Sequence, residues 1–217
     1  MSNARETILN KVRVALGKRS VDVASVHSAA QALLVDPVAT RPEPGTGSLT
    51  NRFIEKVTSP RVAATVSRLS SMAAVPAAVS DYLQAKELPL SIALQPHDAL
   101  RALDWSTFEV HETLAAKEPV AVGIARWGIA ETGSLVFHSG SDLAVLGNFL
   151  PLHHLVVLSS DKLLPYLDDY AAVMVGQSMP RNLNLITGAS GTTDIEGSLV
   201  LGAHGPRYLH VLVIEPE

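Results

Sequence analysis

From about residue 60 onward, short apolar runs alternate with stretches of helical periodicity. Short β-branched runs are typical of strands, and apolar residues spaced by three and four positions are typical of helices that face a core. The predicted strands are 61–66, 90–94, 108–111, 120–124, 134–138, 154–158, 183–187 and 209–215. The predicted helices are 71–86, 98–103 and 161–175. Strands interleaved with helices, several apolar on both faces, predict an α/β fold with a largely covered sheet.

A separate helix is predicted over residues 3–16, where Asn3 and Glu6 resemble a capping box and Gly17 supplies the stop. One stripe of this helix is apolar and contains Ile8, Leu9, Val12, Ala15 and Leu16. Residues 36–48 are rich in Pro and Gly and predict a mobile connector. We therefore expect an N-terminal helix and flexible connector over 1–48, followed by an α/β domain over 49–217.

Composition excludes several classes of protein. The 217 residues are 47% hydrophobic and 18% charged, so the chain can bury a large core and is not expected to be disordered. It has no Cys, which excludes disulfides, a thiol nucleophile and cysteine-ligated zinc or iron–sulfur groups in this chain. The net charge is −4, and no basic stretch is interleaved with aromatic residues, so nucleic acid is not expected as a ligand.

Membrane and secretion signals are not recognisable in the sequence. The longest uncharged stretch, residues 143–160, contains Asn148, Pro151 and two histidines, and is too polar and too broken to span a bilayer. Residues 1–20 carry a local charge of +4 but lack the apolar run of a secretory signal. We therefore expect a soluble, cytoplasmic protein with no membrane span.

The hydroxyl-rich loop at 186–196 is the most informative segment for function. It directly follows a predicted strand, where backbone N–H groups and side-chain hydroxyls can bind an anion. It lacks the lysine of a Walker A loop, the glycine spacing of a dinucleotide-binding fold and the pattern of a nucleophile elbow. The alternative is a strand-to-helix turn with Thr193 or Asp194 as N-cap. The candidate ligand-binding residues are Gly188, Ser190, Thr192, Thr193, Asp194 and Glu196.

A second candidate segment surrounds Glu131. Its carboxylate lies beside a turn formed with Thr132 and Gly133, and close in sequence to Arg126. A carboxylate in this setting can act as an acid, a base or a nucleophile. It can equally be a turn carboxylate paired with Arg126. Thr132 and Gly133 are candidate ligand-binding residues beside it.

A third candidate segment, residues 202–207, is a tight loop with one imidazole and one guanidinium. His204 is a candidate proton carrier, and Arg207 is a candidate clamp for a carboxylate or phosphate. Both residues can instead be ordinary polar groups at a strand end. His153 and His154 are adjacent in a predicted strand and point to opposite faces, so they do not predict a metal site.

Three stretches in the same order resemble motifs of the LUD-domain family, also called the YkgG or lactate utilisation protein C family. They are 130–136, 150–157 and 181–215, and the resemblance covers roughly residues 60–217. The family loop more often reads Gly-Pro-Ser-Arg/Lys-Thr-Ala-Asp-Ile-Glu. In this chain Ala189 stands in place of the Pro and Gly191 in place of the basic residue. A contact that this cation makes to an anion in relatives would therefore be missing here.

The resemblance implies a fold like the NagB/RpiA/CoA-transferase superfamily, with a sheet flanked by helices. It also implies an accessory, non-redox subunit in L-lactate utilisation, which binds a small anionic ligand and works with iron–sulfur partner proteins. No cofactor is expected in this chain. One alternative is a free-standing enzyme that acts on a small acid, sugar phosphate or acyl-CoA through Glu131. Another is a ligand sensor without turnover.

The three candidate segments are far apart in sequence. Strand ends that are distant along the chain are neighbours in an α/β sheet. We therefore expect the 188–196 loop, residues 131–133 and residues 204–207 to converge at one edge of the sheet.

Overall fold

The computed structural model describes residues 4–17, 22–35, 38, 41–43, 45–193, 196 and 198–215. The chain separates into two compact units, Met1–Glu43 and Pro44–Glu217. The first unit contains α1 (Ala4–Ala15), as the sequence predicts, and α2 (Val23–Val35), which has no counterpart among the predicted elements. Asn3 and several residues of the predicted connector lie outside the described residues. Among the helices that the structure describes, none has the length and apolar character needed to cross a bilayer.

Helices and strands alternate along the second unit. Its helices are α3 (Leu49–Val57), α4 (Val75–Ala85), α5 (Asp98–Arg101) and α6 (Leu167–Val173). Its strands are β1 (Thr65–Leu69), β2 (Ser91–Leu94), β3 (Glu109–His111), β4 (Val120–Ile124), β5 (Trp127–Ile129), β6 (Ser134–His138), β7 (His153–Ser159), β8 (Leu163–Leu164), β9 (Leu183–Ile186), β10 (Gly191–Thr193), β11 (Leu199–Leu201) and β12 (Tyr208–Ile214). Short 3₁₀ turns cover 72–74, 145–148 and 160–162.

The main sheet has six strands in the order β1-β12-β7-β4-β2-β3, and every pair in it is parallel. The central strands β7 and β12 are aligned over their full length, from Tyr208 opposite His153 to Ile214 opposite Ser159. Parallel sheets are stable when both faces are covered, which explains the buried apolar runs 155–158 of β7 and 211–214 of β12. This arrangement confirms the predicted α/β class.

The two faces of the main sheet pack against different layers. On one face, Leu155, Val157 and Leu212 pack with apolar residues of α4. On the opposite face, Val156 and Val211 belong to a core with residues of α3 and β6. Alternate residues of β7 therefore enter different cores, which is the side-chain alternation of an extended strand. Burial on both faces supplies most of the hydrophobic stabilisation of the fold.

A smaller sheet, in the order β8-β5-β6-β9, contributes the second of these layers. Its β5–β6 and β6–β9 pairs are antiparallel, and its β5–β8 pair is parallel. Leu135 and Phe137 of β6 are fully buried against the main sheet core. The strands β10 and β11 form a separate antiparallel hairpin. The unit therefore has a parallel sheet between a helical layer and a mixed layer.

Two predicted boundaries are wrong for local reasons. β1 begins at Thr65 rather than 61, because Val62 and Ala63 both donate backbone hydrogen bonds to Ser59 in a turn. The predicted helix 161–175 is replaced by a 3₁₀ turn, the short β8 and the shorter α6. The chain before α6 pairs with the end of β5, and Ala130 N donates to Leu164 O at 2.9 Å. Pairing with the small sheet therefore overrides the helical pattern.

We predict that Gly188→Ala destabilises the second unit more than Gly176→Ala. Both glycines have positive φ, +91° and +76°, and this strain costs about 1–2 kcal/mol for an alanine. At Gly188 the added Cβ would also overlap the carbonyl of Val62, whereas at Gly176 it would meet nothing within 4 Å. Urea unfolding of both variants measures the difference, and equal losses would contradict the close packing of the 188 loop on residue 62.

Candidate functional site

The main sheet has a topological switch point between β2 and β4. From β2 the chain continues to β3 at the sheet edge, whereas from β4 it continues to β7 on the other side. Connections that leave in opposite directions open a crevice at the carboxyl ends of the two strands, where α/β proteins commonly bind ligands. Gln95 directly follows β2, and Ala125 directly follows β4. Both residues line a cavity at this crevice.

A cavity of about 140 Å³, which we call the switch-point pocket, lies over β2 and β4. Ala93 and Ala121 are paired in the sheet, and with Gly123 they line the pocket. These small residues leave space that larger side chains would fill. Residues of the segment 141–147, including Leu143, close another side of the pocket. The lining is mainly apolar, which suits a short carbon chain.

Four polar side chains line the switch-point pocket, Gln95, Glu112, Ser141 and His154, and the Glu112 carboxylate is paired with Arg101. His154 is 2% exposed, stacks on Phe137 with ring centroids 5.7 Å apart, and has no hydrogen-bond partner for Nδ1 among the described residues. Burial lowers the pKa of His154 to about 4, so its imidazole is neutral at pH 7. Gln95 Oε1 accepts a hydrogen bond from Ile124 N at 2.9 Å, which leaves the amide Nε2 as a donor.

Asn148 is a second buried polar group near this pocket. It is 0% exposed, and neither atom of its amide has a hydrogen-bond partner in the described part of the chain. Its neighbour Gly147 lines the switch-point pocket. An unsatisfied buried polar group costs about 1–3 kcal/mol, so native proteins rarely keep one without a water or ligand partner.

A wider cavity of about 310 Å³ lies next to the switch-point pocket, and Gln95 and Leu143 line both. We call it the mouth. It carries two cations, Arg126 and Lys162. Arg126 Nη2 lies 3.6 Å from Asp142 Oδ2, a single long contact that leaves other guanidinium donors available. The mouth therefore offers a carboxylate-binding group next to an apolar pocket.

Aromatic residues form one wall of the mouth. Trp127 and His138 line it, with ring centroids 5.3 Å apart. A hydrogen bond of 2.6 Å joins His138 Nε2 to the Tyr170 hydroxyl. Burial, and secondarily the charge of Arg126, holds the pKa of His138 below its usual value. His138 is therefore more readily neutral, and the charged groups that line the mouth are Arg126, Lys162 and Asp142.

The three segments proposed from sequence lie elsewhere, near the amino ends of the main strands. Ser190 N donates to Pro206 O at 2.8 Å, directly before β12, and Tyr208 N donates to Leu152 O at 3.1 Å, directly before β7. Gly188 packs on the carbonyl of Val62, before β1. The glycine at 188 is thus explained by a close backbone approach.

A chain of hydroxyls connects two of these segments. Thr132 Oγ1 lies 2.7 Å from Ser134 Oγ, which lies 2.6 Å from Thr187 Oγ1. Gly133, with φ +73°, lies close to the end of α3. The backbones of the 132–134 and 187–190 segments are therefore neighbours, and Ser190 also accepts from Gly202 N at 2.8 Å.

The polar side chains at the tip of the third segment and of the loop are exposed. His204, Thr192, Thr193 and Glu196 are exposed. Arg207 is exposed, and its guanidinium lies 5.5 Å from the ring centroid of Tyr208. Asp194 lies outside the described residues. The alternative interpretation of the loop as a strand-to-helix turn is wrong, because residues 191–193 are β10 of a hairpin and not the approach to a helix.

Glu131 interacts with the start of α6. Its Oε2 accepts a hydrogen bond from Leu167 N at 3.0 Å, and its own N donates to Pro165 O at 3.1 Å. A carboxylate at a helix N-terminus satisfies a free N–H and complements the helix dipole. The pairing of Glu131 with Arg126 that the sequence suggests is not observed, since Arg126 pairs with Asp142.

His153 and His154 point to opposite faces of β7, as the sequence predicts. The hydroxyl of Tyr82 in α4 forms a hydrogen bond of 3.0 Å with His153 Nδ1. The ring of His154 stacks instead on Phe137 of the other layer. Within the described ranges, no three His, Asp or Glu side chains group closely enough to hold a metal ion. From the sequence, His154 was a candidate only as a metal ligand, and Gln95 was not among the candidate site residues. The available signal was the alternation of small residues, Ala121 and Gly123, in an otherwise bulky strand.

We predict that the second unit loses stability between pH 7 and pH 5. Burial lowers the pKa of His154 and of His210 from 6.5 to about 4, and the Lys86 charge adds to the shift at His210. Between these values the unfolded chain binds protons that the folded protein does not, so stability falls as pH falls. Each histidine should remove roughly 2 kcal/mol of unfolding free energy at pH 5.

Urea unfolding at both pH values, with the wild type and His154→Leu, measures this contribution. The variant should lose less stability on acidification than the wild type, whereas His204→Gln, at an exposed position, should behave as the wild type. An identical pH dependence in wild type and His154→Leu would contradict the neutral, buried state of His154.

Known proteins are similar to this chain over most of the second unit, and their similarity agrees with the fold. The chain is 31% identical over 144 residues to "Uncharacterized protein YkgG" of Escherichia coli (strain K12), which covers 63% of this chain and 62% of that protein, less than two thirds of its length. It is 27% identical over 172 residues to "Lactate utilization protein C" of Geobacillus thermodenitrificans (strain NG80-2), covering 75% and 72% of the two chains.

A solved structure and a family model complete the comparison. The fold is similar to the crystal structure of a DUF162 family protein from Deinococcus radiodurans, with a TM-score of 0.54 at 18% identity over 77% of this chain and 96% of that one. At this identity the likeness concerns the fold. The family model of the LUD domain matches residues 51–214, which include β1, the switch-point strands β2 and β4, and β12. The chain therefore belongs to the LUD-domain family.

Proposed function

We propose that this protein acts in the utilisation of L-lactate as an accessory, non-redox subunit that binds a small anion. The observation that carries the proposal is the match to the LUD domain, together with relatives named lactate utilization protein C. The oxidation of lactate to pyruvate releases two electrons, which need an acceptor. This chain contains no Cys to ligate an iron–sulfur cluster, so in the proposal the electrons pass through iron–sulfur partner proteins.

The mouth supports the binding of a small anion. Arg126 and Lys162 line it, and both are only partly engaged by single carboxylates, Asp142 and Asp161. A guanidinium binds a carboxylate through two parallel hydrogen bonds, which gives orientation as well as affinity. Burial and the charge of Arg126 lower the pKa of His138, so Arg126 and Lys162 supply the positive charge in the proposal.

Exposed apolar residues support the association with partners. In α1, Ile8 and Val12 are largely exposed, and basic residues flank them. On β11 the apolar side chains of Leu199, Val200 and Leu201 are also exposed. Exposed apolar groups of this kind commonly mark protein interfaces. In the proposal they contact the partner proteins of the lactate-oxidising assembly.

Reconstitution tests the proposed role. Pyruvate formation from L-lactate is measured with the partner proteins in the presence and in the absence of this chain. We expect activity to depend on the chain, and to require stoichiometric rather than trace amounts, because a subunit does not turn over independently. Full activity of the partners without the chain would overturn the proposal.

Glu131 distinguishes an accessory subunit from a free-standing enzyme. We predict that Glu131→Gln retains nearly full lactate oxidation in the reconstituted assembly, because the amide oxygen still accepts from Leu167 N. If Glu131 were an acid, base or nucleophile, the same change would lower the rate by roughly 100-fold or more.

Glu131→Ala is the matched control for the structural role. It removes the acceptor at the start of α6 and should lower the unfolding free energy by about 1 kcal/mol, whereas Glu131→Gln should lower it less. Urea unfolding of both variants is measured beside the activity. A folded Glu131→Gln protein without activity would favour the free-standing enzyme.

A further inference from the structure

We infer that the switch-point pocket and its mouth bind a short-chain 2-hydroxy or 2-oxo carboxylic acid. In this arrangement the carboxylate lies on Arg126 in the mouth, and the 2-hydroxyl or 2-oxo group meets Gln95 and His154. The inference rests on the proposed function, because it names the ligand class and locates the site. It places the ligand at the carboxyl ends of the main strands, away from the hydroxyl-rich loop that the sequence favours.

The first support is the unsatisfied imidazole of His154. Two other buried histidines have partners for their ring nitrogens: both nitrogens of His210 are hydrogen-bonded, to Thr65 and Ser67, and Nδ1 of His153 is bonded to Tyr82. Nδ1 of His154 has none among the described residues, although the ring is 2% exposed and lines the pocket. An unpaired buried nitrogen is costly, so a ligand group or a water is expected to complete the hydrogen bonding of His154.

The second support is the placement of Gly123 between the two polar groups. A Cβ at this position would lie 3.1 Å from Gln95 Oε1 and 3.3 Å from His154 Nε2. The absence of a side chain therefore leaves the Gln95 amide, on its Oε1 side, and the His154 ring, on its Nε2 side, uncovered at Gly123, whereas the unpaired nitrogen of His154 is Nδ1. The Gln95 amide is already oriented, because its oxygen accepts from Ile124 N. A donor from Gln95 and a neutral imidazole suit one hydroxyl or carbonyl oxygen.

The third support is the size of the pocket. Its volume is about 140 Å³. An engineered apolar cavity of about 150 Å³ holds one benzene molecule. Lactate and pyruvate have as many non-hydrogen atoms as benzene, so the pocket has room for the part of either acid that carries the methyl group and the 2-oxygen, while the carboxylate lies in the mouth.

The charge at the mouth selects the acid end of the ligand. Arg126 is about half exposed, and it makes one contact of 3.6 Å with Asp142, so a carboxylate can add hydrogen bonds without breaking the ion pair. Lys162 lines the same mouth. The carbon chain then lies against apolar lining residues such as Val122 and Leu143. Along the cleft, the ligand therefore meets an apolar wall, then groups that bind an oxygen, then a cation. A short acid with an oxygen at carbon 2 carries its groups in the same order.

Direct binding to the purified full-length chain tests this assignment. L-lactate and pyruvate are titrated by calorimetry and by NMR of labelled histidine side chains, with acetate and inorganic phosphate as comparison anions. We expect lactate or pyruvate to bind more tightly than acetate or phosphate, and the His154 resonances to shift on binding. Acetate lacks the 2-oxygen, so the difference reports the contribution of Gln95 and His154.

Three variants locate the ligand. Arg126→Met and His154→Leu should each weaken binding by roughly 10- to 100-fold, as expected when hydrogen bonds to charged or buried groups are lost. Gly123→Ala should weaken binding because the added Cβ would crowd Gln95 and His154. Arg61→Met, at an exposed position before β1, is the matched control and should bind as the wild type. The melting temperature of each variant is measured, and Arg126→Met, at an exposed side chain, keeps the test valid if a core variant does not fold.

Several outcomes would overturn the inference. Phosphate and acetate binding as tightly as lactate and pyruvate would show a general anion site. Loss of binding in Arg207→Met with unchanged binding in Arg126→Met would place the ligand at the amino-end loops. If neither acid binds, the inferred site is wrong. The proposed function is still supported in that case if reconstituted lactate oxidation requires the chain.

Discussion

The requirement to cover both faces of the parallel sheet organises this molecule. Strands β7 and β12 are buried on both sides, by α4 on one face and by the α3 and β6 layer on the other. Toward β4 and β2 the strands carry smaller residues, and the switch-point pocket remains between them and the segment 141–147. The same packing that stabilises the centre of the sheet therefore leaves an enclosed space beside it.

Polar groups inside this fold divide into two kinds. Glu118 is buried, and its carboxylate accepts from Ala115 N and contacts His111, so its hydrogen bonding is satisfied within the chain. His210 is likewise satisfied by two hydroxyls of β1. His154 and Asn148 are buried without such partners among the described residues. Because unpaired buried polar groups are costly, the unpaired Nδ1 of His154, a lining residue of the switch-point pocket, supports the proposed position of the ligand.

The candidate residues from sequence occupy the opposite end of the sheet and have structural contacts there. Gly188 permits a close backbone approach, Glu131 receives a hydrogen bond from the start of α6, and the Thr132 hydroxyl belongs to a chain of hydroxyls. These contacts bring distant segments together. Small and hydroxyl-bearing residues in a tight loop are therefore consistent with packing as well as with ligand binding. Variants at the two ends of the sheet test these two roles separately.

The α/β class, the strands of the main sheet and the opposite orientation of His153 and His154 follow from local patterns in the sequence. Period-2 alternation and runs of β-branched residues depend only on neighbours in the chain. The extent of α6, the hairpin after Gly188 and the partner of Arg126 were decided by contacts between segments far apart in sequence. The pocket also arises only when β2, β4 and β7 are adjacent, because Gln95, Gly123 and His154 are separated along the chain and the space between them belongs to no single element.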